Sequence, residues 1–567
     1  MKKRTFFIIA GVILMVVAYA LIFAKRERAS ILLINGKVHT GIGSAPHAEA
    51  VAIRADRIVG VGSTWDIQQR FEGDTVVDLE GGAVYPGFIE SHAHVEGYGA
   101  SLMTLNLTGT RSVGEIQELV RADAATGGED HWVRGRGWDQ NDWPVKRFPT
   151  HEDLDSASVD VPVYLVRVDG HAVWVNKKVL DLAGISSETP DPPGGKILRD
   201  AKGMPTGVFV DNAIELLASV LPSPSRADRL EAVRRSLNAY AALGVTEIHD
   251  MGVDLDGIAL YKELAGAGML PVRIYAVLEG TSRAAVEHYL KSGPEKDLYE
   301  GRLTVRAIKL YADGALGSRG AALVEPYADD PGNRGLTVTR EPELIDAAGR
   351  AIDAGFQLCV HAIGDRGCNL VLSTFEKAFK ARSMKGLSVR FRVEHAQILQ
   401  RSDIPRFAEL GVIPSMQPTH CTSDMPWAES RLGRSRVRHA YPWASLIEAG
   451  SIIPAGSDAP VEDPSPLKGY YAAITRQRED GTPPGGWFPE ERMSRTDALN
   501  AYTIWGAYAS FHEELKGTIE TGKWADLVVL SDDLLLAAEQ KIPSITVELT
   551  MVGGKVTHSR PGLLAGR

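Results

Sequence analysis

The sequence predicts an α/β fold, a parallel barrel flanked by a β-sandwich assembled from both ends of the chain. Three observations predict it. Through the middle, apolar β-rich runs alternate with helix-like stretches, several of which end at Gly, as in Ala239–Gly244 and Ile352–Gly355. That punctuation is typical of helix-to-strand units. Short strand patterns near the start of the chain return in similar texture near its end. Polar residues of metal-binding type close several of the central apolar runs, where a barrel carries its chemistry.

The first thirty residues differ in kind from the rest. Lys2-Lys3-Arg4 precede an uncharged, mostly apolar stretch from Thr5 to Ala24, and Lys25, Arg26 and Arg28 follow. As a helix rising about 1.5 Å per residue, this stretch reaches the roughly 30 Å of a hydrocarbon core. Its length and basic flanks favour an uncleaved transmembrane anchor, whereas Ala18-Tyr19-Ala20 offers a small-x-small cleavage site. The catalytic body is therefore expected outside the cytoplasm, membrane-anchored, or secreted or periplasmic after cleavage.

Ile31–Ile34, Ala50–Ile53 and Arg57–Gly62 read as short strands separated by turns at Asn35-Gly36 and Ala55-Asp56. Ala525–Leu530, Ile545–Val547 and Leu549–Val556 repeat the texture, so both ends are expected to build one sandwich. Between them, Val245–His249, Leu303–Leu310, Gln357–His361, Val389–His395, Gly411–Met416 and Ile452–Asp458 are the barrel strands. About 150 residues separate the first strand, at Phe88-Ile89, from Val245, more than a crossover helix needs, so an inserted subdomain is expected. Its Trp132, Trp138, Trp143 and Trp174 suit either a lid over the site or the insertion's own core. The expected organisation is 1–30 as anchor or signal, 31–86 as the first part of the sandwich, 87–510 as the barrel with its insertion at about 100–222, and 511–567 as the second part.

With 567 residues, 44% hydrophobic and 24% charged, the chain can build a large core and more than one domain. A formal net charge of -10 argues against a general phosphate-binding surface, and no long Lys/Arg run lies outside the N-terminal flanks. Nucleic acid is thereby excluded as a partner, and a small molecule is the expected substrate. The three cysteines, Cys359, Cys368 and Cys421, form no Cys-x-x-Cys, so any metal must use His and carboxylate ligands.

His92 and His94 begin the candidate site. Two residues apart at a strand end, they point to one face and can present two imidazoles to one ion. Lys309, His361, His395 and Asp458 close four later apolar runs. Each alone has an ordinary reading as a hydrogen-bonded group at a barrel rim. In this order they make a coherent set.

The segments Pro86–His94, Gly137–Gln140, Asp169–His171, Lys309–Arg319, His361–Asp365, Val393–Gln397 and Gly456–Pro460 resemble those of the amidohydrolase superfamily of metal-dependent hydrolases, in its N-substituted formamide deformylase-like branch. The similarity covers about Ile31 to Val556. It implies a (β/α)8 TIM-like barrel with a composite β-sandwich. It also implies that His92 and His94 bind a first metal, His361 and His395 a second, and that a carbamylated Lys309 bridges them. An unmodified Lys⁺ has donors only and cannot ligate, so without that modification a mononuclear site or a salt bridge is the reading for Lys309. Asp458 would bind the first metal and shuttle the proton of the attacking water.

His171 and Arg319 are expected to bind substrate, with Asp365 as a further candidate, His249 behind the ligands, and His420 either at the pocket or in an ordinary loop. The expected cofactor is a divalent metal, two zinc ions, although this ligand chemistry also accepts iron, manganese or cobalt. The expected reaction is hydrolysis of a non-peptide carbon–nitrogen bond in an amide or formamide. Ester or cyclic-amide hydrolysis, isomerisation, and an inactive membrane-tethered binding protein are the alternatives, and a homodimer is one assembly open to the chain.

Overall fold

The computed structural model describes residues 26–126 and 131–563. The apolar stretch 5–24, expected to be a membrane helix, lies outside the described residues. Among those described, no helix is long and apolar enough to cross a membrane.

Seven parallel strands follow one another around the barrel in chain order: β1 (Phe88–Ala93), β2 (Val245–Val253), β3 (Arg273–Glu279), β4 (Leu303–Tyr311), β5 (Gln357–Ala362), β6 (Arg392–His395) and β7 (Ile413–Ser415). β3 is absent from the sequence reading. Its run Ile274–Leu278 is wholly apolar, and such a run gives no period that separates a buried strand from a buried helix. The helices Arg226–Ala242 and Glu341–Ala354 precede β2 and β5, and each reverses through a glycine in the left-handed region, Gly244 and Gly355.

The eighth position holds no regular strand, contrary to the expectation for Ile452–Asp458. Pro454 has no N–H to give a ladder, so the stretch pairs only in part. It still closes the cylinder. The Gly456 N–H donates to Met416 O (3.2 Å) beyond β7, while the Ser91 N–H donates to Ala455 O (3.0 Å) and the Asp458 N–H to His92 O (2.7 Å). Glu90 clamps the same seam by accepting from the N–H groups of His92 and Ser457, each at 2.9 Å. Gly456 is required there, since a Cβ would lie 2.3 Å from Glu90 Oε1 and 2.6 Å from His92 N.

The sandwich does join both ends of the chain. Leu527–Leu530 pairs antiparallel with Ala83–Pro86, inside a six-stranded sheet that runs from Lys555–Ser559 to His47–Ala48. It faces a four-stranded sheet of Glu27–Ile34, Ala50–Arg54, Arg57–Gly62 and Phe71–Asp78. Leu33, Val51 and Val77 from one sheet bury against Val84, Leu527 and Leu549 from the other. Arg273, at the start of β3, ties the barrel to this layer through a buried pair with Asp526 at 2.7 and 3.0 Å.

The insertion carries its own six-stranded sheet, from Leu105–Asn106 through Val133–Trp138, Val163–Arg167, Ala172–Val175 and Pro205–Asp211 to Gly195–Arg199. Trp138, Trp143 and Trp174 form its core, with Trp138 and Trp174 edge to face at 6.0 Å. Their indole N–H groups donate to backbone oxygens of Leu165, Thr110 and Thr150. Of the two readings for these tryptophans, the core is the one observed.

Candidate metal centre

The expected ligand residues meet at the C-terminal ends of the barrel strands. His92 lies in β1 and His94 just beyond it, and the alternation of the strand turns both toward one carboxylate. Asp458 Oδ1 is 3.4 Å from His92 Nε2 and 3.2 Å from His94 Nε2. Lys309, buried near the end of β4, places Nζ 3.3 Å from His92 Nε2. His395, the last residue of β6, has its ring 4.7 Å from that of His92 and 4.5 Å from that of His361 on β5. Ligand atoms of His92, His395 and Asp458 all lie within 4.8 Å of one another.

The ring orientations are set from behind. His92 Nδ1 lies 2.7 Å from Glu394 Oε2, His94 Nδ1 2.8 Å from Met251 O, and His395 Nδ1 2.8 Å from Gln417 Oε1. Each partner is an acceptor, so each Nδ1 carries the proton and each Nε2 keeps a lone pair for the site. His361 is reversed, with Nε2 3.4 Å from Gly314 O. Burial, and after it the neighbouring Lys309, pushes His92 down to about 4. Burial, followed by the adjacent imidazoles, drives His361 and His395 in the same direction. In all three, burial thus favours the neutral form, the one that ligates. Asp458 Oδ1 is buried without a hydrogen-bond partner among the described residues.

A deeper layer supports these groups. Wholly buried Glu394 accepts from Arg392 Nη2 at 2.9 Å as well as from His92, and its Oε1 is ion-paired with Arg392 Nε at 2.7 Å. Arg392 Nη1 in turn donates to His249 Nδ1 at 3.0 Å. His249 thus stands three contacts behind His92, through Glu394 and Arg392, and takes no place among the ligands. Sequence reasoning gave Glu394 no role. Its signal was the alternation Arg390-Phe391-Arg392-Val393-Glu394, charged at every second position of a strand that should be buried.

Above the cluster lies a cavity of about 710 Å³, lined by His171, His361, His395, His420 and Asp458 and by insertion residues that include Arg136, Asp139, Arg167 and Asp169. His171 is brought to the site, with its ring 5.4 Å from that of His361. Burial opposes charge on His171, but the hydrogen bond from Nδ1 to Asp211 Oδ1 (2.7 Å) and the charge of Asp211 push it up to about 9. Asp211 was missed, although it closes the apolar run Val208-Phe209-Val210 just as the barrel residues close theirs. His420 also reaches the cavity, with Nδ1 2.9 Å from Gln397 Nε2.

Arg319 is not brought to the site. Its guanidinium turns to Asp329, at 3.2 and 2.9 Å, and it does not line the cavity. Asp365 is likewise elsewhere, accepting from the Val324 N–H at 2.8 Å and fixing a loop.

Comparison with known proteins agrees with this architecture. The model of the family described as "Amidohydrolase family" matches residues 75–558. The chain is 33% identical to Protein LONG AFTER FAR-RED 3 of Arabidopsis thaliana, over 93% of this chain and 91% of that one. It is 28% identical to the N-substituted formamide deformylase of Arthrobacter pascens, over 94% and 99%. Among solved structures, an uncharacterized metal-dependent hydrolase from Pyrococcus horikoshii superposes with a TM-score of 0.72 at 27% identity, over 90% of this chain and 99% of that one. A strand-end cluster of imidazoles around one buried carboxylate, in a chain matched along most of its length, leads to one assignment: the chain belongs to the amidohydrolase family, enzymes that act on carbon–nitrogen bonds.

Proposed function

We propose that this enzyme hydrolyses the carbon–nitrogen bond of a non-peptide amide, most simply a formamide, with a divalent metal centre and Asp458 as its proton shuttle. One observation carries the reading. Asp458 Oδ1, buried and without a hydrogen-bond partner among the described residues, faces the Nε2 atoms of His92 and His94, both oriented by acceptors behind them. That donor set fits a borderline cation of the zinc type. His92, His94 and Asp458 would hold one ion and His361 and His395 a second. Lys309, buried 3.3 Å from His92, would bridge them as a carbamate. When bound, such ions polarise a carbonyl and acidify water.

The residues of the chain supply the rest. Asp458 accepts a proton from the attacking water and returns it to the leaving nitrogen, a task for a carboxylate within hydrogen-bond reach of both. His171, held cationic by Asp211, donates to the substrate. Insertion and barrel together wall the cavity. The relative whose name specifies N-substituted formamides supports the choice of bond.

The test is a screen of N-formyl and N-acyl amines against zinc-loaded wild type and Asp458→Asn, with metal content measured on both. Hydrolysis by the wild type, nearly abolished in the variant while its fold persists, is expected. Less than one equivalent of metal in the wild type, or most activity surviving in Asp458→Asn, would refute the reading.

A further inference from the structure

The geometry points to Arg136 as the receptor for a carboxylate on the amine half of the substrate, so that the substrates are N-formyl or N-acyl amino acids rather than simple N-alkyl amides. This rests on the hydrolytic reading above and narrows it.

Arg136 lies on the strand Val133–Trp138 of the insertion, and its side chain crosses to the barrel. Nε faces Pro460 O at 3.5 Å, two residues beyond Asp458, and Nη2 donates to Val168 O at 3.0 Å. Nη1 has no hydrogen-bond partner among the described residues, and the residue lines the cavity. No carboxylate of the described residues lies within 4.0 Å of this guanidinium, whereas Arg167 and Lys468, which line the same cavity, are each paired with two acids. Arg478, the other lining cation without such a partner, is exposed at the rim.

The carboxylates whose charge Arg136 feels most, Asp458 and Asp169, both lie more than 4.0 Å from its guanidinium. Asp458 faces the histidines, and Asp169 binds Arg167 and accepts the His171 N–H at 3.0 Å. Burial pushes Arg136 below the ordinary guanidinium range despite both of them, the mark of a cation short of counter-charge. A purely structural cement between insertion and barrel needs only the two carbonyl contacts and would be served by a neutral donor, without the desolvation of a charge. The backbone is also shaped around the group: a Cβ at Gly170 would crowd Nη2 at 3.3 Å. A planar guanidinium with a free edge suits a carboxylate. Its anchor at Pro460, beside the residue that returns a proton to nitrogen, sets that carboxylate on the leaving-amine side.

A matched pair of probes tests this: N-formyl-phenylalanine, in both enantiomers, and N-formyl-phenethylamine, which lacks only the carboxylate. Zinc-loaded wild type, Arg136→Gln and Arg136→Lys are assayed on each, and calorimetry measures binding of the same probes to zinc-loaded Asp458→Asn with and without Arg136→Gln. Losing one charge-assisted contact should raise KM for the better enantiomer about ten- to a hundredfold in Arg136→Gln, with partial recovery in Arg136→Lys. KM for the neutral probe should move less than about threefold, as for uniform binding energy the probe never had. Wild type that prefers the neutral probe, or an Arg136→Gln variant that loses both probes equally, overturns the proposal and leaves the hydrolytic reading intact. If wild type hydrolyses neither, the hydrolytic reading fails, and calorimetry alone decides Arg136: N-formyl-phenylalanine bound only when Arg136 is present supports the receptor, and equal binding or none refutes it.

Discussion

Glu394→Gln is the perturbation whose effect can be worked furthest from the structure. Glu394 is wholly buried; its Oε2 accepts from Arg392 Nη2 at 2.9 Å and from His92 Nδ1 at 2.7 Å, and its Oε1 lies 2.7 Å from Arg392 Nε as an ion pair. Glutamine keeps the shape but turns one acceptor into a donor, which must face either the guanidinium or the imidazole. Arg392, itself fully buried, then loses its counter-charge. Breaking one partner out of a buried ion pair costs about 3–5 kcal/mol. In a unit this large that corresponds to a melting point lowered by roughly 3–6 °C. The second effect is on the metal. Where the amide nitrogen takes the place of Oε2, His92 loses its acceptor and is no longer held with the proton on Nδ1, and loss of such a backing group lowers metal affinity about 10- to 100-fold. Thermal melts and metal content after dialysis against graded free zinc measure the two separately, with the exposed Glu429→Gln as control. A variant that melts within about 1 °C of wild type and retains metal at every zinc level would refute the argument, because a buried guanidinium cannot lose its counter-charge without one of these costs.

Four further outcomes are expected. Gly456→Ala should fail to yield folded protein, because its Cβ would sit 2.3 Å from Glu90 Oε1 at the seam that closes the barrel; soluble expression and circular dichroism check this. Arg273→Met should lower thermal stability by about 3–5 kcal/mol while sparing metal content, since it strands the buried Asp526 far from the ligand cluster. Burial opposes ionisation of Asp526, but Arg273 outweighs it and holds the carboxyl below its ordinary value. Its contribution is thus present above the unfolded value near 3.9 and fades as pH falls through the folded one, so Asp526→Asn should flatten the acid limb of melts recorded from about pH 5 to 2. Arg319→Ala should leave KM within about threefold of wild type, because its guanidinium is spent on Asp329; a larger rise would return Arg319 to the substrate.

What could be read in advance, and what could not, follows from how each part of the molecule orders its strands. In the barrel, strand order is chain order, so every apolar run ends on the same rim and its closing residue faces the same centre. That is why His92, His94, Lys309, His361, His395 and Asp458 could be grouped without coordinates. The exceptions are local: β3 gives no period, and Pro454 denies the eighth segment a regular ladder although its hydrogen bonds still deliver Asp458 to the rim. Glu394 and Arg392 were legible in principle, because charges alternating along a buried strand must answer one another. The insertion obeys no such rule. Its sheet begins parallel, with Leu105–Asn106, Val133–Trp138 and Val163–Arg167, then turns antiparallel, and places Pro205–Asp211 between Ala172–Val175 and Gly195–Arg199. No periodicity announces that order, so neither the meeting of Asp211 with His171 nor the reach of Arg136 to Pro460 follows from spacing. Arg319 failed for a related reason, since a cation in a loop goes to whichever carboxylate the loop returns, here Asp329. The division has a functional sense. The centre that breaks the bond is built on the part of the fold whose geometry the sequence dictates, and the wall that selects the substrate on the part whose geometry can change while the centre stays fixed.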